Sequence, residues 1–341
     1  MQEKQVPNIP ISVLDLAIVS EGKTAADAFR QSLDLARTVE EAGYKRFWMA
    51  EHHNMPHVAS SATSVLLSYI AGGTSTIRVG SGGIMLPNHT PLIIAEQFGT
   101  LATLYPGRID LGLGRAPGTD QATALAIRKE RFHAADNFPD DIRELQAYLS
   151  DDNSSARVRA FPGEGTRVPI FILGSSTFSA LLAADYGLPY AFASHFAPRE
   201  FMRAIQLYRE NFKPSETLKA PYVMAGINVV AAPSDEEADF LSSSMKLMFR
   251  GIITGERRPL QPPVENVEEI LTELEREAVD QMLAVSFIGG PDRLKASMAH
   301  FISQTRVDEV IVSSNVFEHG ARLRSFRLFA EVMGVAERKP A

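Results

Sequence analysis

Glu51, His52 and His53 form the clearest concentration of reactive side chains in the sequence, and His57 follows shortly after them. Histidine changes charge near neutral pH, so it can act as a general acid, a general base or a hydrogen-bond donor. A metal site is disfavoured, because neighbours in extended backbone point to opposite sides and the helical HExxH zinc motif is absent. We expect acid–base chemistry and no metal here; the alternative is that these are ordinary hydrogen-bonded loop residues.

Four hydroxyl side chains surround the predicted start of one helix: Ser175, Ser176, Thr177 and Ser179. One hydroxyl is enough to cap a helix. A helix N-terminus also offers free N–H groups and the positive end of the helix dipole, which suit a phosphate. Arg115, at the end of a neighbouring predicted strand, can add a bidentate charged contact. The pattern predicts a phosphate clamp, with simple capping as the alternative.

Two glycines, Gly82 and Gly83, interrupt a predicted strand. Glycine inside a strand marks a β-bulge or the close approach of a backbone or ligand. Asn88-His89 and His195 follow other predicted strands, and the sequence leaves the roles of His53, His89 and His195 open. The GLGRAPG segment at 112–118 is not the GxGxxG pattern, so no dinucleotide-binding motif is evident.

The elements that must position these residues alternate between strand and helix. Buried apolar runs predict eight strands, at 11–17, 46–51, 77–86, 108–115, 168–176, 189–195, 222–232 and 308–316. Segments with helical spacing follow them, at 24–42, 61–71, 91–104, 120–130, 136–150, 178–186, 198–211 and 322–333, with several more inside 234–305. Continuous apolar strands alternating with helices indicate a parallel sheet covered on its faces.

This order predicts an α/β fold, a (β/α)8 TIM barrel with insertions after strands four and seven, over residues 1–341 as one domain. A doubly wound sheet is the alternative, but eight parallel strands without a clear boundary favour closure. A barrel needs about 250 residues, and the surplus lies after strands four and seven. Strand C-termini form the active site of such barrels, so the polar residues above should meet at one end.

Composition excludes several classes. With 34 basic and 41 acidic residues, the chain has a net charge of −7, which disfavours nucleic-acid and anionic-membrane partners. The absence of cysteine excludes disulfides, Cys–zinc sites, Fe–S clusters and a thiol nucleophile. There is no apolar run of about 18 residues and no signal-peptide pattern, so we expect a cytoplasmic protein.

Five segments together resemble the bacterial luciferase-like, flavin-dependent monooxygenase family, in its single-chain oxidoreductase subgroup rather than its light-emitting subunits. The resemblance covers essentially the whole chain. The segments are WMAEHHN at 48–54, VGSGGIMLPNHTPL at 79–92, EQFGTLATLYPGRIDLGLGRAPGTD at 96–120, LGSSTFSALLAADYGLPYAFASHFAP at 173–198 and FIGGPDRL at 287–294. Their presence in this order makes a specific signal that no single segment provides.

The resemblance implies a barrel that binds FMN, used in its reduced form, with a deazaflavin as the alternative cofactor. The positions that match the family's flavin-phosphate site are Arg115, Ser176 and Ser179, with Ser175 beside them. Gly82-Gly83 matches a pair that commonly forms a non-prolyl cis peptide beneath the isoalloxazine ring. His52 matches the family's catalytic histidine.

Two positions depart from the light-emitting members. Ser175 stands where they have an acidic residue, which leaves the phosphate site less negative and changes its polar network. Gly114 stands where they have a cysteine, which opens space near the flavin. We therefore do not expect their aldehyde chemistry to transfer to this chain.

The implied activity is a monooxygenase that uses reduced FMN and O2 on a small organic substrate. A separate reductase would supply the flavin, because no nicotinamide-binding motif is visible. His52 would hydrogen-bond or protonate the oxygen species, and the segment at about 234–290 would serve as a mobile lid. The family usually pairs through early helices, so we expect a homodimer through 61–71 and 91–104; the alternative is that these apolar positions only pack on the barrel.

Two other functions stay open. One is a flavin-binding protein without oxygenase activity, for storage or sensing, against which the retained Glu51-His52-His53 speaks. The other is a barrel lyase or isomerase that holds a sugar phosphate with Ser176 and Arg115. An obvious Schiff-base lysine at a strand end is lacking, which disfavours the latter.

Overall fold

A computed structural model describes residues 6–127, 135–151 and 153–335 and contains nine parallel strands within these ranges. The strands are β1 Ile11–Asp15, β2 Arg46–Met49, β3 Arg78–Met85, β4 Ile109–Gly114, β5 Ile170–Gly174, β6 Tyr190–Phe192, β7 Val223–Ala231, β8 Ser286–Gly289 and β9 Glu309–Ser313. Each of the eight predicted strands coincides with one of these, slightly shortened at its ends.

The α-helices surround the strands. They are α1 Ala25–Glu41, α2 Thr63–Gly72, α3 Pro91–Leu104, α4 Gln121–Ile127, α5 Phe138–Leu149, α6 Thr177–Asp185, α7 Phe201–Asn211, α8 Asp235–Thr254, α9 Val267–Ile270, α10 Glu273–Met282, α11 Pro291–Thr305 and α12 His319–Val332. The predicted helix at 120–130 is seen as α4, and its remainder lies outside the described residues. Within the described ranges, none of the helices is both long and apolar enough to cross a bilayer.

Eight of the strands close into a barrel. Strand β1 pairs with β2 and β9, β6 pairs with β7, and β7 pairs with β9, so that no edge is left between the first and last strands. The predicted (β/α)8 barrel is therefore confirmed, and the doubly wound alternative is wrong.

Strand β8 was not predicted from the sequence. It pairs with the second half of β7, which aligns Asn228 with Ser286 and Ala231 with Gly289. It has only four residues and ends in glycine, so no periodic apolar run reveals it. The surplus chain lies where it was predicted: α4 and α5 follow β4, and α8 to α11 with β8 lie between β7 and β9.

Alternate strand residues point into the barrel and out toward the helices, because the side-chain period of a strand is two. The inward-pointing apolar cluster consists of Leu14, Trp48, Ala50, Phe171, Ala191, Met224 and Ile311. The rings of Trp48 and Phe171 meet edge to face, with their centroids 4.9 Å apart. The barrel is thus a packed core, and ligands can reach only its ends.

Local capping explains where several helices start. Thr24 and Asp27 form a reciprocal capping box at α1: the Thr24 hydroxyl accepts from the Asp27 N–H at 3.2 Å, and the Asp27 carboxylate accepts from the Thr24 N–H at 2.8 Å. The Ser234 hydroxyl accepts from the Glu237 N–H at the start of α8. Helix α8 ends at Gly255, whose φ of +80° is the left-handed conformation that glycine adopts most readily.

Candidate active site

Glu51 is the centre of a polar cluster at the C-terminal end of β2. Its side chain is 1% exposed, and its carboxylate accepts hydrogen bonds from the Met85 N–H and the Asn88 amide, both at 3.0 Å. The Nε2 atoms of His53 and His89 lie 2.8 and 2.9 Å from the same carboxylate, so both must donate to it. Burial alone would raise the pKa of Glu51, but these hydrogen bonds and the charge of His89 lower it to about 2.

His52 is held differently from its neighbour. Its backbone N–H donates to Ser60 O at 3.0 Å, and its Nδ1 lies 3.3 Å from Gly118 O. A carbonyl oxygen can only accept, so Nδ1 carries the proton and Nε2 is left as an acceptor in the neutral ring. Burial lowers the pKa of His52 by more than the Gly118 hydrogen bond and the charge of Glu51 raise it. At neutral pH this imidazole therefore accepts a proton rather than donating one.

His195 follows β6 and comes close enough to His52 for their charges to interact. Burial and, to a smaller extent, the charge of His52 lower the pKa of His195 to about 4. Its Nδ1 is buried with no hydrogen-bond partner in the described chain. It lies against Gly226, where an added Cβ would be only 2.3 Å from Nδ1. The end of β6 thus places a second neutral imidazole near the first.

A segment after α8 lies across the loops of β1 and β2. We call residues 255–262 the strap. The Leu260 N–H donates to Val19 O at 2.9 Å, the Glu21 N–H donates to Leu260 O at 2.8 Å, and the Val19 N–H donates to His57 O at 2.9 Å. These backbone bonds fasten the strap next to the histidine loop, where the sequence analysis expected a mobile lid over about 234–290.

The predicted phosphate residues collect at the start of α6. Ser176 is the N-cap residue of α6, but its side chain makes no capping hydrogen bond. It therefore leaves the first N–H groups of the helix uncapped. The Arg115 guanidinium lies 4.1 Å from the centroid of the Phe178 ring, which belongs to the first turn of α6. Ser175 is exposed beside them. The structure therefore brings Arg115, Ser175 and Ser176 together.

Ser179 differs from these residues because its hydroxyl is already hydrogen-bonded within the protein. Its hydroxyl is buried, donates to Ser176 O at 2.8 Å and lies 3.1 Å from the Tyr190 hydroxyl. A Cβ at Gly174 would come within 2.1 Å of this hydroxyl, so glycine at 174 makes room for it. The sequence pointed to Ser179 but not to its hydrogen-bond partners, the Ser176 carbonyl and the Tyr190 hydroxyl. Its predicted contact with a phosphate stays a prediction, and its observed contacts hold the start of α6 against β6.

Gly82 and Gly83 are joined by a non-prolyl cis peptide, as the resemblance implies for this pair. The register of β3 against β4 also shifts between Gly82 and Ile84. A Cβ at Gly82 would lie 2.6 Å from Leu14 Cδ1, and a Cβ at Gly83 would lie 2.8 Å from Gly112 O. No side chain fits at either position, because neighbouring protein atoms already occupy the space that a Cβ would need.

Gly118 is a site residue that sequence reasoning missed. Its φ is +64°, and a Cβ there would lie 2.7 Å from Glu51 O. Its carbonyl oxygen receives both the His52 Nδ1 contact and the His53 N–H, at 3.3 Å each. The available signal was the glycine that ends the 112–118 segment, directly after a barrel strand.

No group of three or more His, Cys, Asp or Glu side chains with an arrangement able to hold a metal ion occurs in the described ranges. In the one dense cluster, His53 and His89 each direct an Nε2–H toward the Glu51 carboxylate. This cluster therefore consists of hydrogen-bond donors directed at one carboxylate.

Comparison with known proteins places these features in context. The family model described as luciferase-like monooxygenase matches residues 10–309. The chain is 50% identical over 324 residues to a luciferase-like monooxygenase of Escherichia coli K12, covering 95% of this chain and 97% of that protein. It is 37% identical over 276 residues to the N-acetyl-S-alkylcysteine monooxygenase of Bacillus subtilis, covering 76% and 81%.

Solved structures share the fold. The apo structure of MsnO8 superposes with a TM-score of 0.90 at 35% identity, covering 97% of this chain and all of that one. The FMN complex of the oxygenating component of a Pseudomonas putida 3,6-diketocamphane monooxygenase has a TM-score of 0.71 at 15% identity, covering 95% and 97%. An F420-dependent secondary alcohol dehydrogenase has a TM-score of 0.69 at 13% identity, covering 97% and 100%. The last two likenesses concern the fold alone.

Proposed function

We propose, from the premise that the chain belongs to the luciferase-like monooxygenase family, that it oxygenates a small organic substrate with reduced FMN and O2. A separate flavin reductase is proposed as the source of the reduced flavin. The overall reaction takes in substrate, O2 and reduced FMN, and returns oxygenated substrate, FMN and water. FMN, when bound, supplies the two electrons and the oxygen activation that this reaction needs.

The observation that supports FMN is the start of α6. Its N-cap side chain leaves the first N–H groups of the helix without a cap, and Arg115 lies over the first turn. Uncapped N–H groups at the positive end of a helix dipole, next to a guanidinium, form a site for a dianionic phosphate. The residues present fit the phosphate of FMN, with Arg115, Ser175 and Ser176 as the groups that would hold it.

The remaining residues suit oxygen chemistry next to a flat ring. The Gly82-Gly83 backbone carries no side chain that would block a ring placed above it. His52 offers an unprotonated Nε2 that can accept a proton from a reacting group. Glu51 orients His53 and His89 through charged hydrogen bonds, so these side chains position the loop around His52. The packed barrel interior below excludes water from that side.

Calorimetric titration with four ligands tests the cofactor assignment: FMN, riboflavin, F420 and a sugar phosphate such as ribose 5-phosphate. We expect FMN to bind most tightly, and riboflavin, which lacks the phosphate, at least tenfold more weakly. Tighter binding of F420 would assign a deazaflavin instead, and tighter binding of the sugar phosphate would favour the lyase or isomerase alternative. Equal binding of FMN and riboflavin would refute the phosphate site.

Oxygenation itself is tested by supplying reduced FMN with NADH and a separate flavin reductase under 18O2, in the presence of small organic compounds. A product that gains one 18O atom only when the protein is present supports the monooxygenase. If FMN binds but no compound in a broad panel gains oxygen, the flavin-binding alternative without oxygenase activity is favoured.

We also propose a homodimer through α2 and α3. Large apolar side chains on these helices are unusually exposed: Val65 67%, Ile93 46%, Leu104 59% and Tyr69 43%. Apolar groups grouped on adjacent helices indicate an interaction surface. Light scattering should give twice the mass of the chain, and Val65→Lys should shift it toward the monomer.

A further inference from the structure

Met85 ends β3 at the C-terminal end of the barrel, two residues after the Gly82-Gly83 pair. It lies opposite Gly114 in the register of β3 against β4. Its backbone N–H donates to the Glu51 carboxylate at 3.0 Å, and its side chain is half-buried. The polar cluster around Glu51 therefore fixes the position from which this thioether extends.

The Met85 side chain lies across two glycines. A Cβ at Gly114 would lie 2.9 Å from the Met85 Sδ, and a Cβ at Gly118 would lie 3.2 Å from the Met85 Cγ. The first distance is shorter than real Cβ contacts, so a side chain at position 114 and the thioether exclude each other. The space that Gly114 leaves is thus occupied by the sulfur atom of Met85.

This sulfur lies on the inner side of the barrel wall. Asp110 of β4 points inward, because its carboxylate accepts a hydrogen bond at 3.2 Å from Trp48 of the inward-pointing cluster. Alternate residues of a strand share one face. Gly114, four residues after Asp110, therefore shares its inward face, and the sulfur that lies against Gly114 is at the end of the barrel interior.

Both glycines adjoin residues of the proposed site. Arg115 directly follows Gly114, and the Gly118 carbonyl accepts from Nδ1 of His52 at 3.3 Å. The Met85 side chain thus lies against both ends of the segment that links the proposed phosphate-binding arginine to the hydrogen-bond partner of His52. An oxidisable sulfur is therefore part of the place where reduced FMN and O2 would react.

We propose that Met85 is a modification site, oxidised to methionine sulfoxide when the protein oxidises reduced FMN without a substrate. This proposal rests on the proposed monooxygenase function. Oxidation of reduced FMN by O2 alone yields FMN and hydrogen peroxide. The peroxide transfers one oxygen atom to the thioether, so that the sulfur is oxidised by two electrons to the sulfoxide and the peroxide is reduced to water. The added polar oxygen has little room between Gly114 and Gly118, so the modification should weaken FMN binding.

Peptide mass spectrometry after substrate-free turnover tests this modification. The intact protein is incubated with FMN, NADH and a separate flavin reductase under 18O2, with catalase present to destroy peroxide that leaves the site. We expect 18O-labelled sulfoxide to form at least about fivefold faster at Met85 than at the exposed Met202. Equal or faster labelling of Met202 would overturn the proposal, because it would show oxidation by peroxide in solution.

Hydrogen peroxide added without flavin and without catalase is the control reaction. There the more exposed Met202 should be oxidised first, and Met224, which is completely buried, should stay unmodified. Preferential oxidation of Met85 in this control as well would also overturn the proposal, because its reactivity would then not come from the flavin reaction.

Met85→Leu tests the consequence, because leucine keeps a similar volume without the sulfur. FMN affinity is measured by calorimetry before and after the turnover incubation. It should fall in the unmodified protein and stay at its own starting value in Met85→Leu. Met202→Leu is the matched control and should lose affinity as the unmodified protein does. An equal loss in Met85→Leu would refute the effect assigned to the sulfoxide.

The failure of the two proposals can be told apart. FMN affinity of the untreated protein is measured in the same titrations, and failure to bind FMN would refute both. If FMN binds but Met85 is not oxidised ahead of Met202, the modification site is refuted and the proposed function is not.

Discussion

The two ends of the barrel treat buried polar groups in opposite ways. At the N-terminal end, Arg46 is almost completely buried and lies 2.7 Å from the Asp110 carboxylate and 2.8 Å from the Glu309 carboxylate. Burial alone would lower the pKa of Arg46, but Glu309 and Asp110 raise it. Ser12 and Tyr222 donate to Glu309, each at 2.5 Å, so this end of the barrel is closed by a fully paired network.

At the C-terminal end, several buried polar atoms have no partner in the described chain. They are His57 Nδ1, Ser60 Oγ, Asn88 Oδ1, His195 Nδ1 and Asn228 Oδ1. Buried polar groups are normally hydrogen-bonded, so atoms left without partners call for an explanation. The contrast teaches that one end of the barrel is organised for stability, whereas the other keeps polar groups available for ligands, as barrel enzymes generally do.

The largest expected effect comes from a substitution in the paired network at the N-terminal end of the barrel. Arg46→Met removes the buried cation that lies between Asp110 and Glu309 and leaves them only Arg78 and Lys45, which are less buried. We expect the free energy of unfolding to fall by about 3 kcal/mol. Urea denaturation measures it. Arg293→Met, which removes exposed ion pairs to Asp235 and Asp239, is the control and should cost under about 1 kcal/mol. Equal losses in the two variants would show that the buried network at the N-terminal end contributes no more to stability than exposed ion pairs do.

At the open end, His52→Asn should affect turnover and leave stability and FMN affinity nearly unchanged. The asparagine amide can still donate to Gly118 O but has no counterpart of Nε2. We expect oxygenation of a substrate found with 18O2 to fall by about 10²-fold or more. Steady-state kinetics and calorimetry with FMN measure the two quantities. Turnover at the unmodified rate would remove His52 from the mechanism.

At the C-terminal end of the barrel, the pH dependence of the free energy of unfolding tests the low pKa of Glu51. Its pKa in the folded protein is about 2, against an ordinary value of 4.5. A lowered carboxyl pKa contributes stability that is complete above the ordinary value and is lost as the pH falls toward 2. The full contribution is about 3 kcal/mol. Glu51→Gln should therefore flatten the loss of unfolding free energy between pH 6 and pH 3; an unchanged slope in urea denaturation would contradict the low pKa.

The smallest expected effect concerns the phosphate site. Arg115→Ala should weaken FMN binding by about 1.5–3 kcal/mol, because one charged hydrogen-bonding group is removed. Riboflavin binding should not change, and neither should stability, since Arg115 is exposed. Calorimetry with both ligands decides the matter: an equal loss for riboflavin would mean that Arg115 does not act on the phosphate.

Much of the fold could be predicted because its signals are local. Apolar runs mark each of the eight barrel strands, and Thr24 with Asp27 marks the start of α1. Strand β8 could not be predicted, since four residues carry too little pattern and its partner, β7, is distant in the chain. In the same way, the resemblance indicated Gly82-Gly83 as a cis pair, but nothing local showed that Leu14 and Gly112 exclude any side chain there.

The sequence by itself determined the order of strands and helices, the grouping of Glu51, His52 and His53, and the hydroxyls at α6, because neighbours in the chain are neighbours in space. Only the tertiary structure decided that Glu51 accepts hydrogen bonds from His89 and Asn88, that the Gly118 carbonyl sets the tautomer of His52, and that the strap is hydrogen-bonded to the loop after β1. Closing the barrel brings the ends of strands far apart in the chain to one place. Contacts made across that distance depend on the whole fold.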